Sequence, residues 1–140
     1  MMQATDLRLT FNPGTPIENP ALRGINLNIA DGEFVTVIGT NGAGKSTFLN
    51  AVSGTTRVDS GSILLNGIDV TKKTAHQRAH WVARVFQDPM AGTCEALTIE
   101  ENMALAYKRG GKRGLSFALK PNNRELLKEK LSVLKRGLVN

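Results

Sequence analysis

Cysteine is almost missing: Cys94 is the one thiol in 140 residues. A single thiol builds neither a disulfide framework nor a zinc site, so the sequence predicts a domain held by packing in a reducing cytoplasm. Aromatics are scarce as well, 5% of the chain with one Trp and one Tyr. Few rings are left to stack on single-stranded nucleic acid. No stretch approaches the ~18 continuous apolar residues that span a bilayer. The first residues, Met-Met-Gln-Ala-Thr-Asp, lack the basic start and apolar core of a secretory leader.

What is present is ordinary in bulk: 41% apolar and 21% charged residues, enough for one domain with a core. The charge is uneven. Up to Tyr107 there are eight basic and ten acidic residues; from Lys108 on there are ten basic and two acidic, so the tail carries +8 against −2 in the rest. Such a tail fits either a contact with nucleic acid or a membrane surface, or a solvated helical face. The second reading is favoured, because only Phe117 interleaves the basic residues, and no nucleic-acid partner is expected.

Hydrophobic period sets the element expectations. Leu7, Leu9 and Phe11 alternate with polar residues, as do Ile25, Leu27 and Ile29, the pattern of half-buried strands. Asp31-Gly32 suits a tight hairpin. Residues 34–38 are a short apolar run, expected as a strand buried on both faces. A helix is expected from Lys45 to Ser53, stopped by Gly54. Residues 62–65 and 68–70 flank Asn66-Gly67 as a second hairpin. Thr74 with Gln77, and Thr98 with Glu101, have capping-box spacing; the second starts a helix with Ile99, Met103 and Ala106 on one face. Residues 81–86 read as a further strand and 108–120 as a loop. Asn122 with Glu125 opens a last helix carrying Leu127, Leu131, Leu134 and Leu138, closed by Lys135-Arg136-Gly137.

One segment carries chemistry. Gly39-Thr40-Asn41-Gly42-Ala43-Gly44-Lys45-Ser46 matches G-x-x-x-x-G-K-[ST] in full. Composition alone would produce such a match in about one chain in a hundred of this make-up. The glycines let backbone N–H groups close around a triphosphate. The helix behind them points its positive end at the same anion. Lys45 is the charge for the β- and γ-phosphates, and Ser46 supplies a hydroxyl for Mg²⁺, which takes few protein ligands. His76 and His80 are four apart, but no carboxylate or thiol nearby completes a metal site. Met90, Met103 and Trp81 read as packing residues.

The segment from Gly39 through Thr47, GTNGAGKST, resembles the Walker A motif of ABC transporter ATPases. ALRGINLNIADGEFVTVIG (21–39) is similar to the strand pair that leads into that loop. DSGSILLNGIDV (59–70) is similar to the following hairpin, VFQDP (85–89) to the Q-loop, and LTIEENMALA (97–106) to the start of the helical subdomain. The resemblance spans nearly the whole chain. It implies an α/β P-loop NTPase of ABC type, with an antiparallel portion and a partial core over 1–94 and the start of a helical subdomain over 95–140. It implies ATP and Mg²⁺, with residues 39–47 on the nucleotide, Gln87 as a metal ligand and γ-phosphate sensor, and Phe11 stacked on adenine. The period leaves Phe11 a second reading, as plain core beside Leu7 and Leu9. Asp88 follows an apolar run like a Walker B aspartate, but Arg84 interrupts that run and Asp88 adjoins the Q-loop, so the assignment is rejected.

The same resemblance implies a transmembrane permease subunit, a second ATPase subunit in a head-to-tail dimer and a solute-binding protein as partners. The place would be the inner face of the cell membrane. Residues 100–131 resemble the stretch found in bacterial uptake systems, which implies an importer. These 140 residues contain no LSGGQ-type signature, Walker B strand or switch histidine, so a truncated subunit is expected. Two other classes stand as alternatives. One is a nucleotide-binding fragment without turnover. The other is a P-loop kinase or GTPase, although Thr71-Lys72-Lys73-Thr74 misses the guanine-reading aspartate and residues 108–113 make only a vague lid.

Overall fold

A computed structural model of the chain describes residues 1–111 and the backbone of 121–132, with side chains from 125 onward in that helix. The chain divides into two compact units, Met1–Ala83 and Arg84–Asn140, so the division falls ahead of the boundary expected at residue 94. In the first unit the elements run β1 (Met2–Phe11), β2 (Asn19–Ile29), α1 (Lys45–Ser53), β3 (Ser60–Leu65), β4 (Ile68–Asp69) and α2 (Ala75–Arg78). The second holds a 3₁₀ turn (Pro89–Ala91), α3 (Ile99–Tyr107) and α4 (Pro121–Ser132).

The four strands form one antiparallel sheet in the order β2-β1-β3-β4. β1 is longer than its apolar alternation predicts, and the reason is a bulge. Ala4 pairs with Leu27 and Leu7 with Ile25; on the other side Thr5 pairs with Ser62 and Arg8 with Ser60. Between these pairs β1 carries one extra residue relative to each neighbour, while further along β2 carries the extra one, Leu7 and Arg8 facing Ile25 and Arg23. In a strand, a shift of one residue moves every later side chain to the other face. Here that shift brings Ala4 onto the same buried face as Leu7 and Leu9. Asp6 supplies the extra residue at φ 44°, a left-handed conformation that Asp tolerates better than most. Its N–H donates to Asn26 Oδ1 at 2.9 Å, and its carboxylate accepts from Arg8 Nε at 3.0 Å.

The opposite strand leaves room for the bulge only by having no side chain there. Gly61 stands at φ +91°, and a Cβ on it would lie 2.4 Å from Asp6 O and 2.5 Å from Thr5 O. The core then forms on one face of the sheet: Leu7, Leu9, Leu22, Ile63 and Leu65 meet Phe48 and Ala51 of α1, with Val70 from the end of the β4 turn. Trp81 packs against this cluster, as expected of it.

Local chemistry sets the element ends where it was expected to. α1 ends on Gly54 in the left-handed region, whose N–H returns to Ala51 O. Asn66 (φ 50°) and Gly67 (φ 76°) turn the β3–β4 hairpin, the conformation an Asn-Gly pair favours. Both capping boxes form. Thr74 Oγ1 accepts from Gln77 N and Gln77 Oε1 from Thr74 N, while Thr98 and Glu101 exchange the same bonds at the start of α3. Those bonds hold the Glu101 carboxyl below its ordinary range.

Five expectations need correction. Residues 34–38 form no strand among the described residues: Phe34 is 93% and Ile38 89% exposed. The antiparallel ladder ends at β2 and β4, and an apolar run without a pairing partner has no ladder to join. The Asp31-Gly32 turn is present but joins no hairpin, for the same reason. Residues 81–86 form no strand either: Trp81 N and Val82 N donate to Arg78 O at 2.9 Å in the turn after α2. Met90 is 52% exposed rather than packed, and on α3 the buried residue is Ala104, while Ile99 and Ala106 are exposed beside a half-buried Met103. α3 packs on α4, where Leu127 is buried and Leu131 half-buried. α4 begins at Pro121, the ring's fixed φ suiting a first turn. The Asn122 side chain, the loop over 112–120, Leu134, Leu138 and the 135–137 helix end lie outside the described residues.

Two outcomes follow from this packing. Gly61→Ala forces a Cβ into the bulge backbone and is expected to destabilise the sheet by about 1–3 kcal/mol, read as a lower midpoint in urea. Phe34→Ser removes an exposed ring, not a packed one. It is expected to leave the thermal midpoint unchanged and to reduce self-association of this chain in static light scattering. Unchanged scattering would show that the run is not an adhesive surface.

Candidate nucleotide-binding site

The glycine-rich loop is anchored by a backbone approach. Gly44 sits at φ +86°, directly before α1, and a Cβ there would lie 2.5 Å from Ala21 O of β2. Only glycine permits both the left-handed turn and that contact. The loop is closed further by Ala43 N donating to Thr40 O at 3.2 Å, and α1 begins with Phe48 N on Gly44 O at 2.8 Å. No side chain caps α1, and no acidic residue stands in its first turn. The first-turn N–H groups and the positive end of the helix are thus left to meet an anion.

Lys45 does not extend into solvent. Its Nζ donates to Gly39 O at 2.6 Å and to Thr40 O at 2.7 Å. The ammonium therefore closes the loop on itself, beside the first turn of α1.

Phe11, Asn19 and Ala21 from the ends of β1 and β2, with Asn41, Gly42, Ala43, Gly44, Lys45, Ser46 and Thr47, line one open cleft of about 360 Å³. Phe11 does not join Leu7 and Leu9 in the core: those two are buried, while Phe11 is 40% exposed at the cleft edge. Gly39 and Thr40 do not line the cleft but reach it through their bonds to Lys45. The cleft is large enough for a phosphorylated ligand, and it offers one ring, one cation, a helix N-terminus and the Ser46 side chain.

The residues suit Mg²⁺ only as a minor protein ligand set. Ser46 lines the cleft, and among the described residues no group of three His, Cys, Asp or Glu side chains could hold a metal. That fits a cation bound chiefly by phosphate and water. The His80 ring meets Trp81 edge-on at 5.6 Å. Gln87 belongs to the second unit, where it is exposed on the bend before Asp88. Asp88 caps the 3₁₀ turn by accepting from Met90 N at 2.9 Å, a structural task in keeping with its rejection as a Walker B residue.

Sequence reasoning missed four residues. Asn19 and Ala21 line the cleft from β2, and nothing in a polar-apolar pattern marks a strand end that faces a distant loop. Arg78 is 2% exposed, and burial lowers its pKa while Asp69 partly offsets this. Its one local signal was its place at the end of a capped helix. In the second unit Asn102 binds Cys94 N and O, Leu97 O and Thr98 O, tying the loop before α3 to the helix.

The sequence profile of the ABC transporter family matches residues 22–137. A tyrosine transport ATP-binding protein of Clostridioides difficile (strain R20291) is 42% identical over 137 residues, covering 95% of this chain and 54% of that protein. An energy-coupling factor transporter ATP-binding protein, EcfA2 of Clostridium acetobutylicum, is 38% identical over 108 residues, or 76% of this chain and 37% of that protein. The chain thus spans about half the length of the first relative, and less of the second. Among solved structures, a dimeric structure of MJ0796, a bacterial ABC transporter cassette, matches with a TM-score of 0.76 at 26% identity, over 100% of this chain and 60% of that one. A post-hydrolysis dimer of the same cassette bound to ADP and Pi matches with a TM-score of 0.73 at 25% identity, over 96% and 57%. No helix among the described residues is long and apolar enough to cross a membrane. A loop of matching sequence, a cleft built around it and this agreement over almost the full length lead to one conclusion: the chain belongs to the ABC transporter family of ATP-binding proteins, with their α/β P-loop fold.

Proposed function

We propose that this protein binds Mg-ATP in the cleft between the glycine-rich loop and the ends of β1 and β2. In the ABC assembly of which it forms part, it couples ATP hydrolysis to solute transport through a separate membrane subunit. The observation that carries the reading is Lys45. Its ammonium is held at 2.6 and 2.7 Å by carbonyls of its own loop, beside an uncapped helix start with no acidic residue. Each feature favours an anion at the same point.

The residues divide the work as follows. The loop N–H groups and the first turn of α1 receive the phosphates. Lys45 turns from the Gly39 and Thr40 carbonyls to the β- and γ-phosphate oxygens, so part of the loop's own bonding is exchanged for ligand bonding. Phe11 offers an exposed ring for the base. Ser46 would hold Mg²⁺, which would neutralise phosphate charge as the γ-phosphoryl group departs.

The reading extends to an importer acting with a permease, a second ATPase subunit and a solute-binding protein at the cytoplasmic face of a membrane; of these, the relatives' names support only the transport role, with import in the name of a spermidine/putrescine protein. A tyrosine transport protein and an energy-coupling factor subunit are both named for work inside larger transport systems.

Calorimetric titration with Mg-ATP and Mg-GTP tests the reading. ATP is expected to bind more tightly than GTP, and Lys45→Ala to weaken ATP binding by roughly ten- to a hundredfold, the equivalent of about 1.5–3 kcal/mol for a charge-assisted contact. Equal affinities in the two variants would remove Lys45 from the site.

A further inference from the structure

Arg78 is the most deeply buried charge among the described residues, and it answers to α1 rather than to solvent. Its side chain is fully enclosed, with 2% of the residue exposed. Nη1 donates to Ala51 O at 2.6 Å and to Val52 O at 2.8 Å, both in the last turn of α1. Nε donates to Lys73 O at 3.0 Å and Nη2 to Thr71 O at 2.9 Å. All of these acceptors are main-chain carbonyls. No described carboxylate forms an ion pair with it, and Asp69 acts on it only at longer range.

Burying a guanidinium without an ion pair is costly unless other dipoles compensate. Here the compensation is the negative end of α1, where the free carbonyls of the last turn converge. The rigid fork of arginine reaches three separate pieces of backbone at once, which an ammonium on a flexible stem does less well. Gly54 completes the fit. A Cβ there would lie 2.9 Å from Arg78 Nε and 3.0 Å from Ala75 N, so the helix stop and the arginine share the same space.

The opposite end of this nine-residue helix is the loop and first turn that line the cleft. α1 is held along its flank by Phe48 and Ala51 in the core, and a fastening at its C-terminus adds a restraint on where its N-terminus points. We infer that Arg78 is a positioning residue for nucleotide binding: its guanidinium fixes the C-terminal end of α1 to the segment between β4 and α2 and thereby holds the phosphate-receiving end in place. The inference rests on the nucleotide reading of the cleft given above. Arg78 does not touch the nucleotide. It acts through the helix.

The test uses the complete polypeptide that contains these residues, with Mg-ADP as the probe. Arg78→Ala is expected to weaken Mg-ADP binding about tenfold, within the range seen for residues that couple to a site without touching it. Guanidinium at about tens of millimolar, far below its unfolding range, is expected to restore most of that affinity by refilling the vacated space. A variant that was merely less stable would gain nothing from a denaturant. Arg78→Lys, which keeps the charge and loses the fork, is expected to bind with intermediate affinity and to show faster amide hydrogen exchange at Lys45, Ser46 and Thr47. Exchange in β1 and β3 should stay as in the parent. Lys45→Ala separates the two levels of the argument. If neither it nor the parent distinguishes nucleotide, the cleft reading fails, and this inference with it. If Lys45→Ala weakens binding while both Arg78 variants bind like the parent, or if guanidinium restores nothing, Arg78 is a packing residue and the inference alone is overturned.

Discussion

The first unit depends on a contact with no side chain in it, the approach of the Gly44 backbone to the carbonyl of Ala21. It places the start of α1 against the strand that ends the cleft, so the loop, the helix N-terminus and the ends of β1 and β2 come together around one space. Any Cβ at position 44 would separate them. The glycine is thus needed twice, for its left-handed φ and for its missing atom, and the site's geometry follows from the second need as much as from the first.

α1 is short, and a cation stands near each of its ends. At the N-terminus there is no cap and no carboxylate, only the Lys45 ammonium bound to the loop's carbonyls. At the C-terminus the Arg78 guanidinium donates to the last-turn carbonyls of Ala51 and Val52, the first of which also accepts from Gly54 N. A helix of this length gains little from propensity alone. Phe48 and Ala51 in the core hold its flank, while the two cations satisfy carbonyls around its ends. Buried charge serves here to fix a direction, which a hydrophobic side chain in the place of Arg78 would not do.

The apolar run over 34–38 stands apart from this order. It borders an open hollow of about 360 Å³ with Leu22, Ile25, Leu27 and Phe48, and Phe34 and Ile38 face solvent. Its sequence carries strand propensity, yet propensity is a preference for a packed, paired surface and not for an isolated extended chain. Without a ladder partner among the described residues the same five side chains make an exposed patch.

Whatever is settled within a few residues was readable in the sequence. The span of α1 and its glycine stop, both capping boxes, the Asn-Gly hairpin and the phosphate loop all rest on local φ preferences and short-range hydrogen bonds. The loop motif and its flanks were specific enough to indicate the family. The bulge at Asp6 was not readable, because one extra residue in β1 has meaning only against Leu27 and Ser62 on its neighbours. Phe11 shares the period of Leu7 and Leu9, and only the end of the sheet decides that its ring leaves the core for the cleft. Arg78 looks like any surface arginine until Ala51 and Val52, more than twenty residues earlier, supply the carbonyls that receive it. The sequence by itself determined the chemistry of the loop and the ends of its elements, since those interactions close over one or two turns of backbone. The tertiary structure alone decided which side chains are buried and what they face, since burial is a property of partners distant in the chain.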